Sequence, residues 1–152
     1  MDTISKTPEQ TQKIAGKLAK SVFKEGIKNR AKVLALIGEL GVGKTVFTKG
    51  FTNALGIKSR ITSPTFILMH PYEIKIKSRK RKQDYKRLIH IDCYRLQRHE
   101  ELYSIGIKEI FSNPENIVLM EWAEKAEEIL PKNAIRIYIN HVDEKTRAIK
   151  IK

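Results

Sequence analysis

The sequence has 152 residues, room for one compact domain with a single core and too few for two of ordinary size. Hydrophobic residues make up 41%, which excludes a disordered chain, and the longest clean apolar run, V-L-A-L-I, is far too short to span a membrane. The formal net charge of +13, from 30 Lys and Arg against 17 Asp and Glu, would suit an RNA, a membrane surface or an acidic protein.

Much of that charge is local, because K-I-K-S-R-K-R-K-Q-D-Y-K-R, from Lys75 to Arg87, holds eight basic side chains and one acidic. Cys93 is the only cysteine, so neither an internal disulfide nor a cysteine-based metal site is expected. The polar start M-D-T-I-S-K-T-P-E-Q lacks the apolar core of a signal peptide, and a reducing cytoplasm is the expected compartment. With no internal repeat and no linker rich in Gly or Ser, residues 1–152 are expected to form a single domain.

Thr7 is a candidate N-cap with Pro8 at the first helical position and Gln10 three residues after the cap. Ile14, Leu18 and Val22 follow at helical spacing, and Gly26 is a terminator. A-K-V-L-A-L-I-G-E then has the near-continuous apolar pattern of a strand buried on both faces of a parallel sheet. K-T-V-F-T-K-G-F-T-N-A-L-G predicts a helix closed by Gly56, and S-R-I-T-S-P-T-F-I-L-M-H-P-Y-E-I a strand-and-loop region broken by Pro64 and Pro71.

K-R-L-I-H-I-D-C-Y-R-L predicts a short strand ending near Asp92, H-E-E-L-Y-S-I-G-I-K-E-I-F-S one helix or two short ones. N-I-V-L-M-E-W is a second buried strand running into Glu121, and A-E-K-A-E-E-I-L-P a helix stopped by Pro131. A-I-R-I-Y-I-N and R-A-I-K-I-K alternate apolar and polar around H-V-D-E-K-T, the pattern of a hairpin. Strands alternating with helices predict an α/β fold: a three-layer sandwich with a mostly parallel central sheet and a C-terminal β-hairpin.

Gly38, Glu39, Leu40, Gly41, Val42, Gly43, Lys44 and Thr45 match G-x-x-x-x-G-K-[ST] in full, between a buried strand and an amphipathic helix. Such a loop turns successive N–H groups toward phosphate oxygens, and the helix N-terminus, with Val46 in its first turn as a further expected nucleotide contact, adds positive dipole. Lys44 is expected to bridge the β- and γ-phosphates of a triphosphate and Thr45 to ligate Mg²⁺. Metal binding also calls for an acidic group at the end of a neighbouring strand, and both Asp92 and Glu121 qualify on pattern. The tetrad N-K-x-D of the usual GTPases is absent, which disfavours GTP.

G-E-L-G-V-G-K-T, S-P-T-F at 63–66, H-I-D-C-Y-R-L at 90–96, E-E-L and I-G-I-K-E within 100–109, and L-M-E-W at 119–122 occur in that order. On these motifs the sequence resembles the TsaE (YjeE) family of P-loop ATPases, over nearly its whole length. The resemblance implies ATP and Mg²⁺ as ligands and a part in making the threonylcarbamoyl modification of the adenosine next to the tRNA anticodon. It implies Glu121 as the second Mg²⁺ ligand beside Thr45, Trp122 in the nucleotide pocket, Thr65 as a switch-type threonine near the γ-phosphate, and Glu9 as a nucleotide contact. Asp92 matches an aspartate that the family needs for hydrolysis.

The implied partners are the TsaB and TsaD homologues, a pair reset by ATP hydrolysis, with tRNA contacted indirectly or directly through the basic segment Lys75–Arg87. That segment departs from the family by its length and charge, and E-W-A stands where E-W-P or E-W-S is usual. Two other functions compete: a P-loop small-molecule or nucleoside kinase with S-R-K-R-K as its lid, and an RNA-binding protein whose nucleotide site is only structural.

Overall fold

The apolar run that follows Ala31 becomes the central strand because it is covered on both sides. The computed structural model describes residues 2–58, 69–79 and 83–152. In it Lys32–Ile37 (β2) lies between Asn116–Glu121 (β5) and Ile135–His141 (β6), parallel to both, and Arg87–Asp92 (β4) adds parallel to β5. The edges are antiparallel: Met69–Glu73 (β3) beyond β4, and Arg147–Ile151 (β7) followed by Asp2–Ser5 (β1) beyond β6. The seven-stranded order is β1-β7-β6-β2-β5-β4-β3. The expected parallel sheet is therefore its centre, and the expected hairpin is β6 and β7.

Alternation along each strand divides the core into two layers. Leu34 and Leu36 of β2 and Ile117 and Leu119 of β5 face Pro8–Glu25 (α1) and Lys44–Ala54 (α2), packing with Ala15, Ala19, Phe47 and Phe51. Val33, Ala35, Val118 and Met120 face the opposite layer. That layer is built from Glu101–Ser104 (α3), Ile107–Ser112 (α4) and a 3-10 helix over Ala123–Ile129. Three layers result, as expected from the βα alternation.

The N-terminal signals act as read: the Thr7 hydroxyl accepts from the Gln10 N–H at 3.2 Å, while Gln10 Oε1 reaches past the cap to the Lys6 N–H at 2.7 Å. α1 and α2 meet at Gly50, where a Cβ would stand 2.4 Å from both Cα and carbonyl O of Gln12. A glycine at that position lets the two backbones touch.

Three elements differ from the sequence reading. The polar residues Asp2–Ser5 form an edge strand, held by β7 and by Ser5, whose buried hydroxyl bonds the Thr7 carbonyl and lies 2.8 Å from Thr11 Oγ1. Pro71 does not break its strand: β3 runs through it, paired with Ile89, because an edge strand tolerates a residue without an N–H. The helix after Trp122 is 3-10 with a kink at Ala126, φ −126°. Among the described residues no helix is long and apolar enough to cross a membrane.

Candidate nucleotide-binding site

β2 ends at Ile37, and the glycine-rich loop carries the chain straight into α2. Gly38 has φ 153° and its carbon lies against the backbone of β6, so that a Cβ would come within 2.3 Å of the Ile139 carbonyl oxygen. Among the described residues no side chain caps α2, whose N-cap is Gly43. The first-turn N–H groups are thus left for a ligand, and the positive end of the helix faces the loop. Glu39 and Leu40 form the exposed tip, with Leu40 71% accessible.

Lys44 folds back over this loop. Its Nζ donates to the carbonyls of Gly38 at 2.6 Å and Glu39 at 2.8 Å, and lies 3.5 Å from the centroid of the Trp122 ring. Burial holds its ammonium below the usual lysine range, against the opposing charges of Glu124, Glu121 and Asp92. Trp122 is the only non-glycine among the described residues with positive φ, at 56°. That left-handed turn costs about 1–2 kcal/mol for a bulky residue, and it sets the indole between Lys44 and Tyr94, whose ring lies 5.0 Å away.

Glu121 closes the other side. Its Oε2 is 3.4 Å from Thr45 Oγ1, and its Oε1 is 2.7 Å from Thr48 Oγ1 and 3.0 Å from His90 Nε2. Burial pushes the Glu121 carboxyl up, but hydrogen bonds from His90 and Thr48 and the charge of Lys44 outweigh it and leave the group below the ordinary carboxylate range. Asp92, the register partner of Glu121 across β4 and β5, is 6% exposed and its Oδ1 accepts the Tyr94 N–H at 2.9 Å. Parallel pairing thus brings both candidate carboxylates to one end of the sheet, beside the loop.

A hydroxyl and a carboxylate are hard oxygen donors of the kind Mg²⁺ takes, and two cis ligands of an octahedral ion at its usual bond length lie about 3 Å apart. The 3.4 Å between Thr45 and Glu121 suits that span. Among the described residues no cluster of three or more His, Cys, Asp or Glu could hold a metal ion by itself.

A pocket of about 120 Å³ opens beside the loop, between Thr7, Pro8 and Thr11 of the α1 start, Val42 and Val46, and Lys145 and Arg147 of the hairpin. Arg147 Nε donates to the Val42 carbonyl at 3.1 Å, tying the hairpin to the loop, and its guanidinium also bonds the carbonyls of Asp143, Glu144 and Thr146. Glu9 sits in the first turn of α1, exposed, two residues from this pocket's Thr7 and Thr11, and is not part of its lining. Hydrogen bonds from its own backbone N–H and the Thr7 hydroxyl hold its carboxyl below the usual range.

Of the expected site residues the structure brings together Gly38 to Val46, Asp92, Glu121 and Trp122. Thr65 and the whole S-P-T-F motif lie outside the described residues, as do Lys80, Arg81 and Lys82 of the basic segment. Thr48, His90 and Arg147 escaped the sequence reading. A histidine two residues before Asp92 on a buried strand shares its face, a signal that could have exposed His90.

The model of the family "Threonylcarbamoyl adenosine biosynthesis protein TsaE" matches residues 5–149. The chain belongs to the TsaE family. This TsaE-family chain is 37% identical over 142 residues to the tRNA threonylcarbamoyladenosine biosynthesis protein TsaE of Bacillus subtilis, covering 93% of this chain and 78% of that one. It is 31% identical over 150 residues to the protein of the same name from Rickettsia bellii, covering 98% and 92%. The crystal structure of Bacillus subtilis YdiB superposes with a TM-score of 0.70 at 30% identity, over 99% of this chain and 83% of that chain. The α/β architecture of this TsaE-family chain is thus shared with a solved protein.

Proposed function

We propose that this protein binds and hydrolyses ATP with Mg²⁺, and that it serves threonylcarbamoyl modification of tRNA by acting on a TsaB–TsaD pair. The single observation that carries the nucleotide part is the approach of Thr45 and Glu121 beside an uncapped helix N-terminus and the Lys44 ammonium. The modification pathway is supported by the family to which the chain belongs and by the names of its relatives.

In this reading the phosphates lie on the N–H groups at the start of α2, and the nucleoside lies in the pocket between Thr7, Val42, Val46 and Arg147. Lys44 leaves the Gly38 and Glu39 carbonyls for the β- and γ-phosphates, exchanging neutral acceptors for charged ones. Thr45 and Glu121 hold the Mg²⁺, which when bound neutralises charge developing on the phosphate oxygens. Asp92, fixed by its bond to the Tyr94 N–H, accepts a hydrogen bond from the attacking water and sets its line of approach.

The test is ATP turnover with and without the TsaB–TsaD pair, for the wild type, Lys44→Ala and Glu121→Ala, alongside tRNA modification. Stimulation of the wild type by the pair and loss of modification in both variants are expected. If the pair has no effect and both variants still support modification, the reading fails. Phosphate transfer to a small acceptor without release of free phosphate would instead make the protein a kinase.

A further inference from the structure

The two oxygens of Glu121 have unequal surroundings. Oε1 is surrounded by protein donors: Thr48 Oγ1 at 2.7 Å and His90 Nε2 at 3.0 Å. Oε2 faces Thr45 Oγ1 at 3.4 Å. Thr48 and His90 are both 0% exposed, so water cannot replace either of them. Thr48 also approaches the Lys44 carbonyl at 3.0 Å, but it has one proton, and the nearer, charged acceptor takes it.

The tautomer of His90 follows from the same contacts. A carboxylate at Nε2 accepts only, whereas Nδ1 is buried with no hydrogen-bond partner among the described residues. Nε2, at hydrogen-bond distance from that acceptor, therefore carries a proton and points it at Glu121. A histidine on β4 and a threonine on α2 thereby converge on one oxygen of a carboxylate on β5, from three separate elements.

We propose that Thr48 and His90 are positioning residues, a clamp that holds Oε1 of Glu121 and so presents Oε2 beside Thr45 as a fixed metal ligand. The proposal rests on the nucleotide reading above. Neither residue touches the metal or the nucleotide; each acts by removing the rotational freedom of the carboxylate. Partners of a metal ligand of this kind contribute about 10- to 100-fold to metal affinity.

The experiment compares the affinity for a non-hydrolysable ATP analogue with Mg²⁺ and in EDTA, giving the enhancement due to the metal. His90→Leu and Thr48→Val, close to isosteric, are expected to lose about 10- to 100-fold of that enhancement with the EDTA affinity unchanged. His90→Gln, whose amide N–H reaches the position of Nε2, and Thr48→Ser, which keeps the hydroxyl, restore most of it. His90→Asn, too short to reach, behaves like the leucine variant. If His90→Leu does not fold, Thr48→Val and its serine rescue decide the matter.

Histidine ¹⁵N spectra of the wild type provide a readout apart from ligand binding, with Nε2 of His90 protonated. Wild-type enhancement in both Thr48→Val and His90→Leu overturns the clamp, and so does an Nε2 that carries no proton. A wild type that binds the analogue equally with and without Mg²⁺ instead removes the metal reading, and the clamp with it.

Discussion

Thr45 Oγ1 and Glu121 Oε2 stand 3.4 Å apart although 76 residues separate them in the chain. Their meeting follows from topology. Thr45 lies in the first turn of the helix that β2 feeds, Glu121 ends β5, and β2 and β5 are parallel neighbours whose carboxyl ends coincide. Open parallel sheets bind ligands at that end, and here the loop, both carboxylates and the indole are all gathered there.

Lys44→Ala removes the ammonium that bonds the Gly38 and Glu39 carbonyls and would meet the phosphates. Hydrogen bonds to charged groups contribute about 1.5–3 kcal/mol, so affinity for ATP should fall by roughly 10- to 150-fold. Calorimetric titration checks it, and an unchanged dissociation constant would remove Lys44 from the phosphate site.

Replacing Asp92 by Ala should spare binding of the analogue while slowing turnover by about 100-fold or more, the range of positioned proton-transfer and water-orienting groups. Side-by-side binding and single-turnover measurements separate the two effects. Unimpaired turnover would refute the catalytic role.

Glu121→Ala leaves the His90 N–H buried without its acceptor, while the Thr48 hydroxyl falls back on the Lys44 carbonyl. A buried unsatisfied group costs about 1–3 kcal/mol, so the variant should unfold at lower urea concentration, whereas Glu121→Gln, whose amide oxygen still accepts, loses less. Equal midpoints for the two variants would contradict the arrangement described.

Trp122 is the sole tryptophan, and its ring carries the Lys44 ammonium at 3.5 Å. Drawing Lys44 onto phosphates removes that cation from the indole face, so intrinsic fluorescence should change on addition of ATP. Lys44→Ala should start from the altered emission and respond little, a pattern that a fluorescence titration of both proteins can reject.

Cys93 is fully buried, and burial first, then the neighbouring Asp92, pushes its thiol from 9.0 up to about 12. The raised value means that the stability from keeping the thiol neutral is complete below pH 9.0 and is lost as pH rises toward about 12. Thiol reagents at pH 8 should therefore modify Cys93 only as fast as the protein opens; rapid labelling of the native protein would contradict this burial.

The strands and helices that bury whole faces were legible in the amino-acid order because the periodicity of β2, β5, α1 and α2 is a local property that burial merely satisfies. The loop from Gly38 to Thr45 was legible for the same reason: its glycines and its Lys-Thr pair are contiguous, and the strand before and helix after it are strong signals. Asp2–Ser5 gave no such signal, since D-T-I-S has one apolar residue and becomes a strand only when β7 offers its edge. Pattern alone also left Asp92 and Glu121 equivalent, each a carboxylate at a strand end. Parallel register places them side by side, and α2 above them turns Thr45 and Thr48 onto Glu121 while His90 rises from the next strand. Sequence by itself determined the elements and the phosphate loop; which carboxylate is held, and by what, was decided by hydrogen bonds between residues 31, 73 and 76 positions apart, distances that only a folded sheet can close.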